Sequence, residues 1–264
     1  MSRCLVFSHA NSFPAGCYRL LFERWRAAGW RVEALDRFGH DPRFPVTGDW
    51  RHLRDQLIHF IEHEVRPEGP VALVGHSLGG MLSLMAACHR PELVSRLVML
   101  DSPVVAGIRA AGIAVAKTTG LIHRYPPSRI ARERRHVWPD RGAVHAHFAA
   151  KKIFARWDPR ALADYVEAGF EATEDGQVQL RFHREVESHI YRTLPHHLPQ
   201  LLRLRPPQCP VAFVGGTHST ELRQAGAAAS KTLAGDRWRW MEGSHLYPFE
   251  KPEQTADLVL ELLP

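Results

Sequence analysis

Short apolar runs alternate with longer amphipathic stretches along most of the chain. Runs of this kind are typical of parallel strands, because such strands are buried on both faces. The predicted strands are Cys4–Phe7, Arg31–Leu35, Pro70–Val74, Arg96–Leu100, Val211–Val214 and Trp238–Met241. The predicted helices are Tyr18–Gly29, Asp49–Val65, Met81–Cys88 and Pro252–Leu263. The alternation predicts an α/β fold with a mostly parallel sheet of about six strands flanked by helices.

Residues 104–205 break this rhythm. Their pattern is mostly helical, with prolines as interruptions, so we expect a helical insertion between two core segments, 1–103 and 206–264. The insertion carries 17 Lys and Arg against 10 Asp and Glu. This charge either attracts an anionic acyl donor or acid product, or belongs to a solvated surface. The preference for arginine over lysine along the whole chain favours the solvated surface.

Composition sets limits on the class of protein. The chain has 264 residues, a net charge of +6 and 45% hydrophobic residues, which is ordinary for a globular protein. We read no signal peptide at the N-terminus and no apolar stretch long enough for a membrane span. Four scattered cysteines fit a reducing compartment. We therefore expect a cytoplasmic protein that has no membrane partner.

Several binding chemistries find no support in the sequence. There is no glycine-rich nucleotide loop and no clustered spacing of metal ligands, so we expect neither a cofactor nor a metal. The basic net charge is not accompanied by a recognisable nucleic-acid module, so no nucleic-acid partner is expected.

Residues 74–80, Val-Gly-His-Ser-Leu-Gly-Gly, carry the most informative motif. The G-x-S-x-G pattern is formed by Gly75, Ser77 and Gly79, with a strand-like run before it and a helix-like run after it. This context is that of a nucleophile elbow, in which a serine sits on a strained turn and the glycines avoid collisions. We interpret Ser77 as a catalytic nucleophile. The alternative is an inert serine in a glycine-rich turn.

The order of these parts resembles the α/β-hydrolase superfamily. The resemblance rests on the loops His9–Pro14 and Asp36–His40, the elbow, and the segment Gly243–Pro248, and it covers nearly the whole chain except the insertion. It implies that the first strand here corresponds to the third of the family's eight. It also implies that the insertion is a lid over the active site, and that the catalytic groups follow in the order nucleophile, acid, histidine.

The resemblance assigns the base and the oxyanion hole. His245 lies in a loop after the last strand and before the last helix, where the family has its histidine. The oxyanion donors are expected to be the backbone N–H groups of Leu78 and Asn11. The family usually has glycine where this chain has Ala10. His9 and His76 are interpreted as structural.

The sequence offers two candidates for the acid of the predicted triad. The family's usual position follows the penultimate strand in a Gly-x-x-Asp pattern, and here that position is Ser219. Asp101, at the end of the run Arg96–Leu100, is preferred because it lies on a rigid strand end near the elbow. Glu221 is the alternative acid. Each could instead be structural, Asp101 as a hydrogen-bond acceptor at a turn and Glu221 as a charge in the first turn of a helix.

These features predict a serine hydrolase that cleaves a carboxylic ester or a related acyl bond through an acyl-enzyme, with a small acyl molecule as its substrate. One alternative keeps the same residues for C–C bond hydrolysis, thioester hydrolysis or a lyase reaction. Another is a ligand-binding protein on a hydrolase scaffold with vestigial turnover, to which the missing Gly-x-x-Asp pattern gives some weight.

Overall fold

A computed structural model describes residues 3–263 of the chain. The strands within these residues are β1 (Cys4–Ser8), β2 (Arg31–Ala34), β3 (Val71–His76), β4 (Val94–Leu100), β5 (Val137–Trp138), β6 (Phe170–Ala172), β7 (Val178–Leu180), β8 (Val211–Gly216) and β9 (Trp238–Met241). The α-helices are α1 (Arg19–Ala27), α2 (Arg51–His59), α3 (Leu78–His89), α4 (Gly107–Thr118), α5 (Pro126–Glu133), α6 (Arg141–Ala149), α7 (Pro159–Ala168), α8 (Arg184–Arg192), α9 (Leu198–Leu204), α10 (Thr220–Ala225), α11 (Ala228–Ala234), α12 (Tyr247–Glu250) and α13 (Pro252–Leu262).

The main sheet has six strands in the order β2-β1-β3-β4-β8-β9. Every neighbouring pair in it is parallel, which confirms the predicted fold class. The central strands β3, β4 and β8 end side by side at one edge. In open parallel sheets, active sites form at this carboxyl edge, so the topology alone indicates where the functional residues belong.

Both faces of the sheet are buried. Along β1, Leu5 and Phe7 belong to a core that includes residues of α1 and α13, while Val6 belongs to the opposite core with residues of α2 and α3. This alternation explains why each strand is apolar throughout, since helices cover the sheet on both sides.

The insertion is less uniformly helical than the sequence indicated. It contains α4 to α9 and also a three-stranded antiparallel sheet in the order β5-β7-β6. These strands are two or three residues long, too short to show a strand period in the sequence. A group of buried aromatic rings joins this part of the insertion to the core that contains α1. The rings are those of Trp138, Phe148, Trp157, Tyr165 and Phe170.

Two of the predicted helices differ from the structure by more than one or two terminal residues. The stretch Asp49–Val65 is not one α-helix, because Asp49 and Trp50 have φ values of 59° and 55°, and the chain passes into a π-helical turn after His59. The predicted helix Met81–Cys88 begins earlier, at Leu78, directly after the elbow serine. The early start matters for the site, because it brings the free N–H groups of α3 next to Ser77.

Candidate active site

The elbow holds Ser77 between β3 and α3 in a strained conformation. Its φ and ψ are 52° and −116°, in a region that costs a non-glycine residue roughly 1–3 kcal/mol. A Cβ on Gly79 would lie 2.0 Å from the carbonyl oxygen of Ser8, and one on Gly75 would lie 2.4 Å from the carbonyl carbon of Gly79. Both positions therefore need glycine for close backbone approach, as the motif predicted.

His245 lies between Ser77 and Asp101 and bonds to both. The hydroxyl of Ser77 donates to His245 Nε2 over 3.0 Å, and His245 Nδ1 donates to Asp101 Oδ2 over 2.6 Å. His245 is in the loop between β9 and α12, and about 15% of its side chain is exposed. Three loops at the carboxyl edge of the sheet thus bring a hydroxyl, an imidazole and a carboxylate into one line.

Asp101 follows β4 and is fully buried. Besides the bond from His245, its Oδ1 accepts the N–H of Gly216 at 2.8 Å, and its Oδ2 accepts the hydroxyl of Ser219 at 2.5 Å. Burial alone would raise the pKa of the Asp101 carboxyl. The hydrogen bonds and the positive charge that His245 can carry outweigh it and hold this pKa below its ordinary value. The carboxyl is therefore ionised at neutral pH.

Of the two candidate acids, the structure brings Asp101 against His245. Glu221 is exposed, and within the described part of the chain the side chain of His245 bonds to Asp101 and Ser77 and not to Glu221. Ser219 occupies the position where the family pattern expects the acid. It donates its hydroxyl to Asp101 and caps α10. The sequence contained no sign of this bond, because the two residues are 118 positions apart.

The pKa of His245 is raised above its ordinary value. Burial opposes the charged imidazolium, but the hydrogen bond and the charge of Asp101, with a smaller contribution from the charge of Glu221, outweigh it. An ionised Asp101 also requires the proton of the neutral imidazole to be on Nδ1. Nε2 is then free to take the proton of Ser77, which is what activation of a serine nucleophile needs.

The two predicted oxyanion donors lie next to the elbow serine and in the loop after β1. Neither the amide of Leu78 nor that of Asn11 donates to a protein acceptor among residues 3–263. Asn11 is buried, and its side-chain amide donates to the main-chain carbonyl of Glu187 in α8 over 3.1 Å. The amides are thus available for a ligand oxygen, and their role in an oxyanion hole stays a prediction.

His9 bridges two loops beneath these donors, as the sequence indicated. Its Nε2 accepts the N–H of Phe38 over 3.0 Å, and its Nδ1 donates to the carbonyl of Ala10 over 2.8 Å. Burial lowers the pKa of His9 to about 4. A neutral ring with both nitrogens occupied is suited to a structural role.

Comparison with known families agrees with this geometry. A family model described as "Alpha/beta hydrolase family" matches residues 5–258. The chain belongs to the α/β-hydrolase family. The match includes the elbow, the end of β4 and the loop that carries His245.

Curated relatives match about half of this α/β-hydrolase or less. A monoglyceride lipase of Rattus norvegicus is 31% identical over 132 residues, which are 48% of this chain and 44% of that protein. A monoglyceride lipase homolog of Monkeypox virus is 30% identical over 127 residues, 46% of each chain. A pyrethroid hydrolase of Sphingobium wenxiniae is 33% identical over 110 residues, 39% of this chain and 36% of that protein. The chain spans less than half the length of these relatives.

Solved structures share the fold over nearly the whole chain. The crystal structure of E-2-(acetamidomethylene)succinate hydrolase superposes with a TM-score of 0.77 and 23% identity, covering 99% of this chain and 91% of that one. A thioesterase domain from the curacin biosynthetic pathway gives a TM-score of 0.73 at 20% identity, covering 98% and 91%. At this level of identity the likeness shows the fold alone.

The insertion of this α/β-hydrolase supports two of the active-site loops. The ring of Trp157 stacks on Phe249, with centroids 4.3 Å apart, and the N–H of Asp158 donates to the carbonyl of Phe249 over 2.9 Å. Phe249 lies four positions after His245. On the other side, the ring of Phe13, in the loop after β1, lies 5.8 Å from that of Trp157. The aromatic part of the insertion therefore holds the loop of His245 and the loop after β1 together.

Sequence reasoning missed the partners of His76. His76 precedes Ser77 and is fully buried. It bonds to the hydroxyl of Tyr18 over 2.8 Å and to the main-chain carbonyl of His245 over 2.9 Å. These contacts join residues 58 and 169 positions apart, so no local sequence pattern predicts them.

Two further findings concern residues 3–263 as a whole. No group of three or more His, Cys, Asp and Glu side chains in this range could hold a metal ion. No helix in the same range is both long enough and apolar enough to cross a bilayer.

Proposed function

We propose that this chain is a serine hydrolase that cleaves a carboxylic ester, with Ser77 as nucleophile, His245 as general base and acid, and Asp101 as the acid of the triad. The observation that carries the proposal is the bridging position of His245, 3.0 Å from Ser77 Oγ and 2.6 Å from Asp101 Oδ2. The strained backbone at Ser77 and Asp101, with φ values of 52° and 44°, supports it, since such strain concentrates at functional sites.

The proposed reaction has two halves. In the first, Ser77 Oγ attacks the ester carbonyl while its proton passes to His245 Nε2, and the amides of Asn11 and Leu78 stabilise the oxyanion of the tetrahedral intermediate. His245 then gives the proton to the departing alcohol, leaving an acyl-serine ester. In the second half, His245 takes a proton from water while the water oxygen attacks the acyl carbonyl. His245 then returns the proton to Ser77 Oγ as the acyl–Oγ bond breaks, which releases the acid and regenerates the serine. Asp101 stabilises the imidazolium in both halves.

Esters are the proposed substrates because the curated relatives include proteins named monoglyceride lipase and pyrethroid hydrolase. Residues 104–205 are proposed to be a lid, supported by the contacts of Trp157 with both active-site loops. The proposed compartment is the cytoplasm. The free thiols of Cys4, Cys17 and Cys88 are compatible with it, because reducing compartments keep thiols unpaired.

The geometry does not distinguish ester hydrolysis from the alternative reactions, but it weakens the alternative of a binding protein. C–C bond hydrolysis, thioester hydrolysis and a lyase reaction would use the same residues, so only substrates separate them from ester hydrolysis. A binding protein with vestigial turnover has less support, because its main argument was the missing acid, and Asp101 supplies a carboxylate at hydrogen-bond distance from His245.

The decisive experiment measures turnover of short and long acyl esters and thioesters, together with labelling by a fluorophosphonate probe. Wild-type protein should turn over esters and react with the probe. Ser77→Ala should lose on the order of 10³-fold or more in kcat and all labelling. Ser83→Ala is the matched control, because Ser83 is a fully buried serine of α3 whose hydroxyl contacts Ser8. Equal labelling of Ser77→Ala would contradict the nucleophile, and a preference for thioesters would change the substrate class.

A further inference from the structure

We infer that Tyr18 and His76 form a positioning relay behind Ser77. The relay holds two loops in fixed relation to each other: the loop after β1, which carries Asn11 and is called the oxyanion loop here, and the loop of His245. The relay extends the proposed function, since it concerns residues that neither react nor touch the reacting atoms. It begins at the amide of Ala10, passes through the Tyr18 hydroxyl and the His76 ring, and ends at the main-chain carbonyl of His245.

Three consecutive hydrogen bonds make up this relay. The N–H of Ala10 donates to the Tyr18 hydroxyl oxygen over 3.2 Å. The Tyr18 oxygen and His76 Nδ1 are 2.8 Å apart. His76 Nε2 and the carbonyl oxygen of His245 are 2.9 Å apart. All the hydrogen-bonding groups of both side chains are used within it.

The direction of every bond follows from the groups at the two ends. The Ala10 amide can only donate, and the His245 carbonyl can only accept. His76 must therefore carry a proton on Nε2. Burial, followed by the charge of His245, lowers the pKa of His76 to about 3, so the ring is neutral and Nδ1 bears no proton. Nδ1 then accepts the hydroxyl proton of Tyr18, which burial keeps protonated by raising its pKa well above 10.

The surroundings hold both relay residues firmly. Tyr18 and His76 are almost completely buried. The ring of Tyr18 packs between Phe7 and Phe249, with each pair of centroids 4.6 Å apart. Because both rings are buried, closely packed and hydrogen-bonded, we expect the hydrogen bonds to transmit position from one loop to the other.

Every residue of the relay except Tyr18 is at most one position from a group proposed to touch substrate. Ala10 precedes Asn11, His76 precedes Ser77, and the last bond ends on His245 itself. A misplacement of about 1 Å in such groups can cost about 10²-fold in rate. Loss of the relay should therefore lower kcat and leave KM nearly unchanged, because the relay makes no contact with the substrate.

Three variants cut the relay at different points. Tyr18→Phe removes the hydroxyl and keeps the packed ring. His76→Asn offers an oxygen near the place of Nδ1 and loses the bond to the His245 carbonyl. His76→Gln offers an N–H near the place of Nε2 and loses the bond from Tyr18. We expect each to lower kcat by about 10- to 100-fold. The double variant Tyr18→Phe/His76→Gln should lose hardly more than its single variants, because both remove the same bond.

A pH profile separates positioning from mere stability. The groups that bear on the charge of His245 are Asp101, Glu221 and His76. His76→Asn frees the His245 carbonyl and loosens the bond between His245 and Asp101. Because that bond raises the pKa of His245 in wild-type protein, the variant should lower this pKa. The acidic limb of kcat/KM should therefore move to lower pH. The low-field NMR signal of the Nδ1 proton of His245 should weaken or shift, a readout that needs no turnover.

Thr255→Val is the control, because it removes another fully buried hydroxyl, one in α13 that donates to the carbonyl of Lys251 just before that helix. It should lower the melting temperature and leave kcat and the NMR signal unchanged. The relay is refuted if Tyr18→Phe and His76→Asn behave in this same way. Should wild-type protein show no Ser77-dependent turnover, the proposed function fails, and the NMR signal alone decides whether the relay positions His245.

Discussion

Two buried carboxyl groups, Asp101 at the carboxyl edge of the sheet and Glu187 in the insertion, respond to burial in opposite ways. Asp101 is fully buried, yet its pKa lies below its ordinary value. Glu187 is nearly as buried, and its pKa is raised by that burial despite the charge of Arg134 and a hydrogen bond from Ser12. The difference lies in the number and alignment of the partners, since desolvation disfavours both charges.

At the carboxyl edge, the buried carboxylate of Asp101 has hydrogen bonds to both of its oxygens, whereas some buried polar groups of the insertion have none. Asp101 accepts bonds from three groups, those of His245, Gly216 and Ser219. In the insertion, the indole N–H groups of Trp138 and Trp157 find no acceptor among residues 3–263. A satisfied polar network is rigid, whereas an unsatisfied one costs free energy that rearrangement can recover. The proposed chemistry is thus built on the hydrogen-bonded network around Asp101, which is the rigid region of the site.

Two parts of the insertion differ in how firmly they are attached to the core. Residues 137–182 contribute the aromatic rings that join the core containing α1. Helix α4, by contrast, buries only Ala110 among its own residues, and the side chain of Ile108 is 85% exposed. Lys117 connects α4 to the core through an ion pair with Asp49 at 2.6 Å. One part of the insertion therefore supports the active-site loops, and the other lies lightly on the surface.

The largest expected effect comes from breaking the rigid region at Asp101. Asp101→Asn keeps the size and removes the charge that stabilises the imidazolium, so kcat should fall by about 10²- to 10⁴-fold. The variant also removes the main influence that raises the pKa of His245. The acidic limb of kcat/KM, which wild-type protein should show above the ordinary histidine pKa of 6.5, should therefore move to lower pH.

Glu221→Gln is the matched control for that measurement. Glu221 is exposed and acts on His245 through its charge alone, so kcat should stay within about 2-fold of wild type. A large loss in Glu221→Gln with little change in Asp101→Asn would move the acid to Glu221. Two nearly silent variants would mean a Ser–His dyad or no catalysis of this kind.

The rigid region was also the part most open to prediction from sequence. The elbow is local, since strand, Ser77, two glycines and helix lie within one short segment, and the backbone sterics that need them are equally local. The position of His245 followed from its place between the last strand and the last helix. Asp101 could be preferred to Glu221, because strand ends meet at one edge, but the bond between Asp101 and His245 could be identified only from side-chain positions.

What escaped prediction depends on contacts between distant residues. Ser219 was seen as a missing acid, whereas its hydroxyl supports Asp101 from 118 positions away. The bonds of Tyr18 and His76 join segments that have no sequence relation. The strands of the insertion are too short for a period to appear. Positive φ values at Asp49 and Trp50, which delay the start of α2, are also set by the surrounding structure.

The next largest effect should come from the aromatic part of the insertion. Phe148 is buried and its ring lies 5.1 Å from that of Tyr165 and 5.8 Å from that of Phe170. Phe148→Ala should lower the free energy of unfolding by about 3–5 kcal/mol, measured by denaturant titration, because it leaves a cavity in a packed cluster. A loss below about 1 kcal/mol would show that this part of the insertion is loosely packed too.

The two carboxyl groups should give stability opposite dependences on pH. The pKa of Asp101 is lowered in the folded protein, so its ionisation adds stability above its ordinary pKa of 3.8, and this is lost as pH falls through the folded value. The pKa of Glu187 is raised, so stability is lost as pH rises from 4.5 through its folded value. Each pKa unit corresponds to about 1.4 kcal/mol.

Asp101→Asn and Glu187→Gln isolate these dependences when the free energy of unfolding is measured across pH. The difference between wild type and Asp101→Asn should grow in favour of wild type as pH rises above the folded pKa of Asp101. The difference between wild type and Glu187→Gln should change against wild type as pH rises above 4.5. Parallel curves for both variants would remove the contrast between the two regions.

The smallest effect on stability is expected in α4, the lightly attached part of the insertion. Ile108→Ala should change the free energy of unfolding by less than about 0.5 kcal/mol, because the side chain is 85% exposed and loses little contact. Hydrogen exchange should find the amides of α4 far less protected than those of β3, which is buried along its whole length. Protection of α4 equal to that of β3 would contradict a movable cover. Fast exchange confined to α4, with slow exchange in the aromatic part, would instead place the proposed lid movement in α4.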